Sequence, residues 1–486
     1  MARRLTTAQH DRAAGVLLGQ ACGDALGVPY EFARPPGADE LAEMKGGGLG
    51  DFAPGEWSDD TAMAGAIARV AATGVDLTLP ASLDAVADGF LEWHASGPAD
   101  IGIQTSAVLG ATRRRLAGGG RPGSVMREEA ARYAARNPRS AGNGALMRTA
   151  VVALAHLDDR ERLARAARAV AELTHADPLA GDSCVLWCEA VRVAVLDGRL
   201  DVRAGLELLP ADRREQWTGL LGEAEAGPAS RFTPNGFTVT ALQAAVAAIS
   251  LTPVPDGPMS CLHLQDALHA AVRIGDDTDT VAAIAGGLLG ARWGASAVPW
   301  RWRRAVHGWP GRDGRDLVTN ACLAVAGGRA DPKGWPVVED VAYDEPASSR
   351  VVPHPFDEGV LLGTHRSRDH GADAVVSMCR VGRDQACFDG ADVVVESRLM
   401  DSEDPAANPN LAFTLRDAAD AVRGLRAEGK VVLLHCVAAQ QRTPSVAVEY
   451  GVLLGHEVGE VRRAVVGALR STRGYGLVWD AAGAVL

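Results

Sequence analysis

The feature that most limits how this 486-residue chain can fold is a change of period partway along it. From residue 8 to about 328, apolar residues recur at three- and four-residue spacing, in Ala-, Leu- and Arg-rich stretches at 61–73, 80–95, 102–117, 159–173, 180–197, 236–251 and 264–273. Gly, Pro and Asp clusters punctuate these stretches and no β-branched alternation interrupts them, which predicts an all-α bundle of about a dozen helices. The pattern then breaks. Asp331-Pro332, Trp335-Pro336, Glu345-Pro346, Val352-Pro353 and His354-Pro355 crowd one stretch, and proline at that density cannot sustain a helix. A Pro-rich linker over 329–355 is expected there. Beyond it, 374–378, 393–395 and 431–434 are short β-branched runs suited to buried strands, with helical stretches at 410–428 and 443–455. The expected organisation is multidomain: an all-α bundle over 1–328 and an α/β domain over 356–486.

Composition narrows the classes of function. With 47% hydrophobic and 23% charged residues, the chain has ample material for globular cores. A net charge of -12 argues against a nucleic-acid or membrane-surface partner, because no basic excess exists to neutralise phosphates. No apolar run approaches the ~18 residues a membrane span needs. The basic start, Met1-Ala2-Arg3-Arg4, leads into a short apolar run over 13–18 that Gln20 and Asp24 interrupt, a poor signal peptide. The eight cysteines are scattered without a CxxC pair, and Cys184 and Cys188 read as core thiols, so a cytoplasmic location is expected.

Two acidic clusters carry the chemistry. Ser58-Asp59-Asp60-Thr61 precedes an apolar helix over 62–72, and Asp276-Asp277-Thr278-Asp279-Thr280 precedes another over 281–292. Helix capping would account for one such residue per helix. Two or three carboxylates within six residues repel one another unless a cation compensates, so the clusters are expected to form halves of one metal site. The donors are all oxygen, which selects Mg²⁺ or Mn²⁺ over zinc or copper, and their number allows two divalent cations. A two-metal phosphatase or nuclease would fit this chemistry equally well.

The order Gly19-Gln20-Ala21-Cys22-Gly23-Asp24-Ala25-Leu26-Gly27, Glu31, Trp57-Ser58-Asp59-Asp60-Thr61, Gly142-Asn143-Gly144, Thr174-His175-Ala176-Asp177-Pro178 and Asp277-Thr278-Asp279-Thr280 resembles the ADP-ribosylglycohydrolase family. The resemblance spans residues 13–294. It implies that Ser58, Asp59, Asp60, Asp277, Asp279 and Thr280 hold two divalent ions, and that these ions bind the hydroxyls of the substrate's proximal ribose. Asp100 resembles the carboxylate proposed as acid/base in bacterial members, and Glu31 resembles a residue that other members use to activate water; the sequence leaves open which acts here. Cleavage of a ribosyl bond passes through an oxocarbenium-like state that a nearby carboxylate can stabilise. Gly142, Asn143 and Gly144, read as a turn leading into a helix over 145–155, are expected to contact a diphosphate. The context of His175 implies a ligand contact as well.

In the second domain, His435-Cys436-Val437-Ala438-Ala439-Gln440-Gln441-Arg442-Thr443 follows a strand and precedes a helix. This HCx₅R[ST] pattern resembles the phosphate loop of dual-specificity-type cysteine phosphatases. Cys436 would be the nucleophile and Arg442 would bind phosphate oxygens, with His435 and Thr443 beside them. Asp401 is the positional match for a general acid, with Asp404 second. One departure is notable. The family usually has Gly in mid-loop where this chain has Ala438-Ala439, and a left-handed backbone there would cost an alanine roughly 1 kcal/mol.

The expected activity is metal-dependent hydrolysis of the bond between ADP-ribose and an acceptor, arginine on a protein favoured, joined to a cysteine-dependent phosphatase. The expected partners are an ADP-ribosylated protein or small ADP-ribose conjugate, and a phosphorylated substrate at the second domain. The rival readings are a non-catalytic ADP-ribose reader or a two-metal phosphoesterase, with a pseudophosphatase that binds phosphate without turnover.

Overall fold

A computed structural model describes residues 5–484; the basic segment over 1–4, and the signal-peptide reading attached to it, lies outside the described residues. Thirteen α-helices among the described residues form the first domain: α1 (Thr7–Gly27), α2 (Asp59–Ala71), α3 (Pro80–Ala95), α4 (Ile103–Leu116), α5 (Pro122–Arg136), α6 (Arg160–Ala171), α7 (Pro178–Asp197), α8 (Ala211–Ala226), α9 (Thr238–Leu251), α10 (His263–Arg273), α11 (Thr278–Trp293), α12 (Trp300–Ala305) and α13 (Gly314–Val325). A two-residue ladder, β1 (His307–Gly308) with β2 (Arg312–Asp313), is a small β element inside this otherwise helical part. Helix α1 begins with a capping box, in which the Gln9 amide donates to Thr6 Oγ1 and the Thr6 amide donates to Gln9 Oε1. Helix α1 from Ala13 onward and nearly all of α11 are buried, which places both at the centre of the core.

These two central helices run antiparallel in backbone contact. Gly15, Gly19, Gly23 and Gly27 face Gly290, Gly286, Ala282 and Asp279 in turn, and a Cβ at any of the four would enter the van der Waals shell of the opposite backbone. Only hydrogen-sized side chains permit the approach, which lays the C-terminal end of α1 beside the N-terminal end of α11.

The helix expected over 145–155 does not form. The segment folds as two 3₁₀ pieces, Asn143–Ala145 and Ala150–His156. Its start is committed to a strand-like pairing, with Asn143 N–H donating to Gly236 O at 3.1 Å and Thr238 N–H to Ala141 O at 2.9 Å. Between the two pieces the wholly buried Arg148 reaches inward to Thr174. One continuous helix would satisfy neither demand.

The second domain is a five-stranded mixed sheet in the order β3–β4–β7–β5–β6, formed by β3 (Val352–His354), β4 (Asp357–Thr364), β5 (Ala374–Ser377), β6 (Val393–Glu396) and β7 (Val432–Cys436). Only the β3–β4 pair is antiparallel. Strand β7 is central and buried along its whole length, consistent with its unbroken apolar run. Helices α14 (Leu411–Ala427), α15 (Arg442–Leu453), α16 (Val458–Ala468) and α17 (Leu477–Ala481) complete the domain, and its larger core lies between them and the sheet.

The stretch read as a linker is packed, not free. Trp335 and Val341 join the core of the first domain, Tyr343 Oη donates to Arg380 O at 2.6 Å, and strand β3 falls inside the stretch. The two domains also meet directly. Trp300 of α12 is buried in the core of the second domain, its amide donates to Asp417 Oδ1 at 2.8 Å, and Arg303 pairs with Asp417 Oδ2 at 2.9 Å. Asn410 donates to Trp293 O at 2.6 Å and to Ser296 Oγ at 2.9 Å. Among the described residues no helix is long and apolar enough to cross a membrane.

Candidate functional site

The contact between α1 and α11 brings the acidic clusters together. Carboxylate oxygens of Asp24, Asp60 and Asp279 lie within 4.8 Å of one another, as do those of Glu31, Asp100 and Asp279. Asp279 thus joins two oxygen-only groups. Glu31 follows the 3₁₀ turn Val28–Tyr30, and the next amide, Phe32 N–H, donates to Asp276 O at 2.7 Å, tying this segment to the entry of α11. Asp100 comes from the loop between α3 and α4, and the Asp59 carboxylate accepts from the Gly102 amide of that loop.

Neither N-cap residue caps its own helix. Ser58 and Asp277 occupy the N-cap positions of α2 and α11 without making side-chain caps. The α2 cap comes instead from Asp24, which accepts from Ser58 N–H at 2.8 Å and from Thr61 N–H at 2.9 Å. Ser58 Oγ sits between Asp24 Oδ1 at 2.9 Å and Asp60 Oδ2 at 3.0 Å. Asp277 Oδ2 accepts from Asn143 Nδ2 at 2.7 Å, and the Asp277 amide donates to Asn235 Oδ1 at 2.9 Å. Thr280 Oγ1 lies 3.4 Å from Asp60 Oδ2. Asp279 Oδ1 accepts from the Thr280 amide at 2.9 Å; the N-cap side chains themselves are left free of capping bonds to their own helices.

Asp24 and Asn235 were not among the residues expected here. Asp24 lies inside the family-like segment over 19–27, but nothing in that segment assigns it a role; Asn235, in Thr233-Pro234-Asn235-Gly236, reads as an ordinary turn residue. Asn143 was expected to meet a ligand, yet its amide nitrogen is already engaged by Asp277 and by Asn235 O.

The electrostatics are those of crowded, buried carboxylates. Burial, and then repulsion from neighbouring carboxylates, hold Asp59, Asp60 and Asp279 well above the usual carboxylate range. Burial, followed by the charges of Asp100, Asp277, Asp59 and Asp24, pushes Glu31 up to about 9. Glu31 Oε2 and Asp60 Oδ1 are buried without a hydrogen-bond partner. A divalent cation would offset both penalties, and the oxygen-only donor set fits Mg²⁺ or Mn²⁺.

Beside this centre, Gly142 and Gly144 make room for His175. A Cβ at Gly142 would lie 3.3 Å from His175 Nε2, and one at Gly144 would lie 3.0 Å from its Cε1. The pair is needed for close approach and not for a left-handed backbone, since Gly142 has φ -67°.

A separate constellation closes the central strand of the second domain. Cys436 ends β7, and the loop after it leads to α15, whose N-cap Gln441 makes no side-chain cap. Ala439 takes φ +52°, the left-handed conformation its sequence position made costly. Its carbonyl accepts from Ser471 Oγ at 2.9 Å, one of the contacts that hold it there. Arg442 Nη1 donates to Leu399 O at 3.0 Å, its Nη2 lies 3.6 Å from Asp401 Oδ2, and its buried Nε is unpartnered. Thr443 Oγ1 is buried and unpartnered too. The fully buried His435 imidazole contacts Cys387 Sγ at 3.3 Å. Asp404 caps the 3₁₀ turn Pro405–Ala407.

A sequence model of the ADP-ribosylglycohydrolase family matches residues 5–332. ADP-ribosylarginine hydrolase Tri1 of Pseudomonas putida (strain GB-1) is 29% identical over 299 residues, which cover 61% of this chain and 74% of that protein. The ADP-ribosyl-(dinitrogen reductase) glycohydrolase of Rhodospirillum rubrum is 30% identical over 331 residues, covering 65% of this chain and 97% of that protein. ADP-ribosylhydrolase ARH3 of Homo sapiens is 29% identical over 215 residues, covering 38% of this chain and 59% of that protein.

Proposed function

The chain belongs to the ADP-ribosylglycohydrolase family, and on that premise we propose that its first domain hydrolyses the glycosidic bond between ADP-ribose and a modified acceptor, arginine on a protein being favoured. The observation that carries this reading is the pair of carboxylate groups joined at Asp279, with Glu31 and Asp100 in the same group. The arginine preference draws on the names of the relatives from Pseudomonas putida and Rhodospirillum rubrum.

Ser58, Asp59, Asp60, Asp277, Asp279 and Thr280 would hold two divalent cations, Mg²⁺ or Mn²⁺, with Asp24 bracing Ser58 and Thr61 from behind. Bound there, the cations supply charge that orients the ribose hydroxyls and Lewis acidity beside the reacting carbon. The protein's own part is proton management. Water adds to the anomeric carbon as the bond to the acceptor breaks; one carboxylate of the Glu31–Asp100 pair takes the proton from water and a proton returns to the leaving nitrogen. Gly142, Gly144 and His175 line the side where a diphosphate would lie. All eight cysteines are free thiols, which suits the reducing cytoplasm proposed as its compartment.

Release of free ADP-ribose from an ADP-ribosyl-arginine protein tests the reading. Release should require Mg²⁺ or Mn²⁺, cease with chelator and disappear in Asp277→Ala. Metal-dependent binding without release would indicate a reader, and metal-dependent release of phosphate by the first domain would indicate a phosphoesterase.

For the second domain, the buried unpartnered Nε of Arg442 and the uncapped start of α15 support an oxyanion cradle around Cys436. In this reading Cys436 Sγ attacks the phosphorus of a phosphorylated substrate, Asp401 protonates the departing oxygen, and water then hydrolyses the thiophosphate to regenerate the thiol. Phosphate release from p-nitrophenyl phosphate that vanishes in Cys436→Ser supports turnover; phosphate binding without release marks a pseudophosphatase.

A further inference from the structure

We propose that Arg148 and Thr174 are positioning residues which fix the tautomer of His175, so that a neutral imidazole presents its Nε2–H to the diphosphate oxygens of the ligand. The inference rests on the reading above that places the diphosphate beside Gly142 and Gly144.

The argument is a count of hydrogens along a buried chain. The Arg148 side chain is fully enclosed, with its guanidinium 4.5 Å from the Phe90 ring centroid and Nη1 3.5 Å from Met63 Sδ. Its Nη2 lies 2.6 Å from Thr174 Oγ1, which lies 2.8 Å from His175 Nδ1. A guanidinium only donates, so Thr174 Oγ1 accepts from Arg148 and must direct its single hydrogen elsewhere. Among the described residues, His175 Nδ1 is the other polar atom bonded to that oxygen. Were Nδ1 protonated, it would point its hydrogen at a hydroxyl whose own hydrogen then had no acceptor, at a cost of roughly 1–3 kcal/mol. Nδ1 is therefore the acceptor.

The ring is also neutral. Burial, followed by the nearby Arg148 charge, pushes His175 down to about 3. A neutral imidazole that accepts at Nδ1 carries its proton at Nε2. That nitrogen faces Gly142 and Gly144 at close range, since a Cβ at either would lie 3.3 Å from it. The Thr174 carbonyl accepts from Gln104 Nε2 at 3.0 Å, which anchors the backbone of the relay. Arg148 thereby contributes without touching the ligand: its fixed charge orients a hydroxyl, the hydroxyl orients a ring, and the ring offers an uncharged donor to an anion.

The test uses the full chain with ¹⁵N-labelled histidine, in wild type, Thr174→Val and Thr174→Ser, together with ADP-ribose titrations. The wild-type spectrum should show His175 with an unprotonated Nδ1 and a protonated Nε2. Thr174→Val should allow the other tautomer and weaken ADP-ribose binding about tenfold, and Thr174→Ser should restore both. A wild-type His175 protonated at Nδ1, or a Thr174→Val protein that keeps both tautomer and affinity, overturns the inference. If Thr174→Val does not fold, the wild-type shifts and the Ser variant decide. Wild-type protein that bound no ADP-ribose would instead remove the ligand reading, while the shifts would still settle the tautomer.

Discussion

At the scale of single residues, Asp24 shows what the sequence concealed. Ser58, Asp59, Asp60, Asp277, Asp279 and Thr280 stand out in the sequence because acid-rich runs before apolar helices are crowded beyond what capping requires, and the fold brings Asp60 and Asp279 together. Asp24 lies within the segment over 19–27, which assigns it no role of its own; the fold shows it accepting from two amides at the start of α2. Asp24→Asn keeps the volume but sets an amide group against those donors, so the affinity for Mn²⁺, measured by calorimetry, should fall about 10–100-fold. Acidity gives a second expectation. Glu31, pushed up to about 9 from an ordinary 4.5, binds its proton more tightly in the folded chain than in the unfolded one. Asp59, Asp60 and Asp279 are raised in the same direction. Such groups favour the fold below their unfolded values and lose that contribution as pH rises through the folded ones. In chelator, the melting temperature should therefore fall as pH rises between 4.5 and about 9, and added Mn²⁺ should flatten the slope. A melting temperature in chelator that rises over this range would contradict the burial of the cluster.

At the scale of elements, the helix starts and stops were mostly legible from caps and period. Pro80–Ala95 coincides with the expected 80–95, and Leu411–Ala427 lies one residue inside 410–428 at each end. The misses share a cause: local pattern yields to a partner elsewhere in the fold. Strand β3 is hidden because Val352-Pro353-His354-Pro355 reads as linker, and proline is admissible there because β3 is an edge strand with a single neighbour. The 3₁₀ pieces around Arg148 replace a helix because their backbone is held by 236–238. The glycines of α1 were read as part of a family motif, although their four-residue spacing, repeated at Gly286, Gly290 and Gly294, is a helix-contact pattern in its own right. Gly23→Ala should cost about 1–3 kcal/mol in denaturant unfolding, because its methyl would meet the Ala282 carbonyl. Gly65→Ala in α2, which has nothing within 4 Å, should instead stabilise by about 0.4–1 kcal/mol. Equal effects of the two would show that α1 and α11 do not pack by their backbones.

At the scale of the whole molecule, two domains of different class were legible from the change in hydrophobic period, but their relation was not. A proline-dense stretch suggests a tether, whereas the structure packs Trp335 and Val341 against one core and buries Trp300 in the other. Large apolar contact of this kind couples unfolding, so heating should give one transition. Trp300→Ala should lower that transition by the equivalent of about 3–5 kcal/mol. Two separate transitions in the unaltered protein would show the domains to be independent.

The seating of Trp300 also bears on how such a protein can be rearranged. A side chain on Gly424 would strike the indole, and Asp417, whose carboxyl burial pushes up, faces Arg303 and the Trp300 amide. Transplanted onto a different carrier, the second domain would bring along an open apolar socket beside Gly424 and an acid without its guanidinium partner. Moving either domain alone to another carrier should therefore lower its stability.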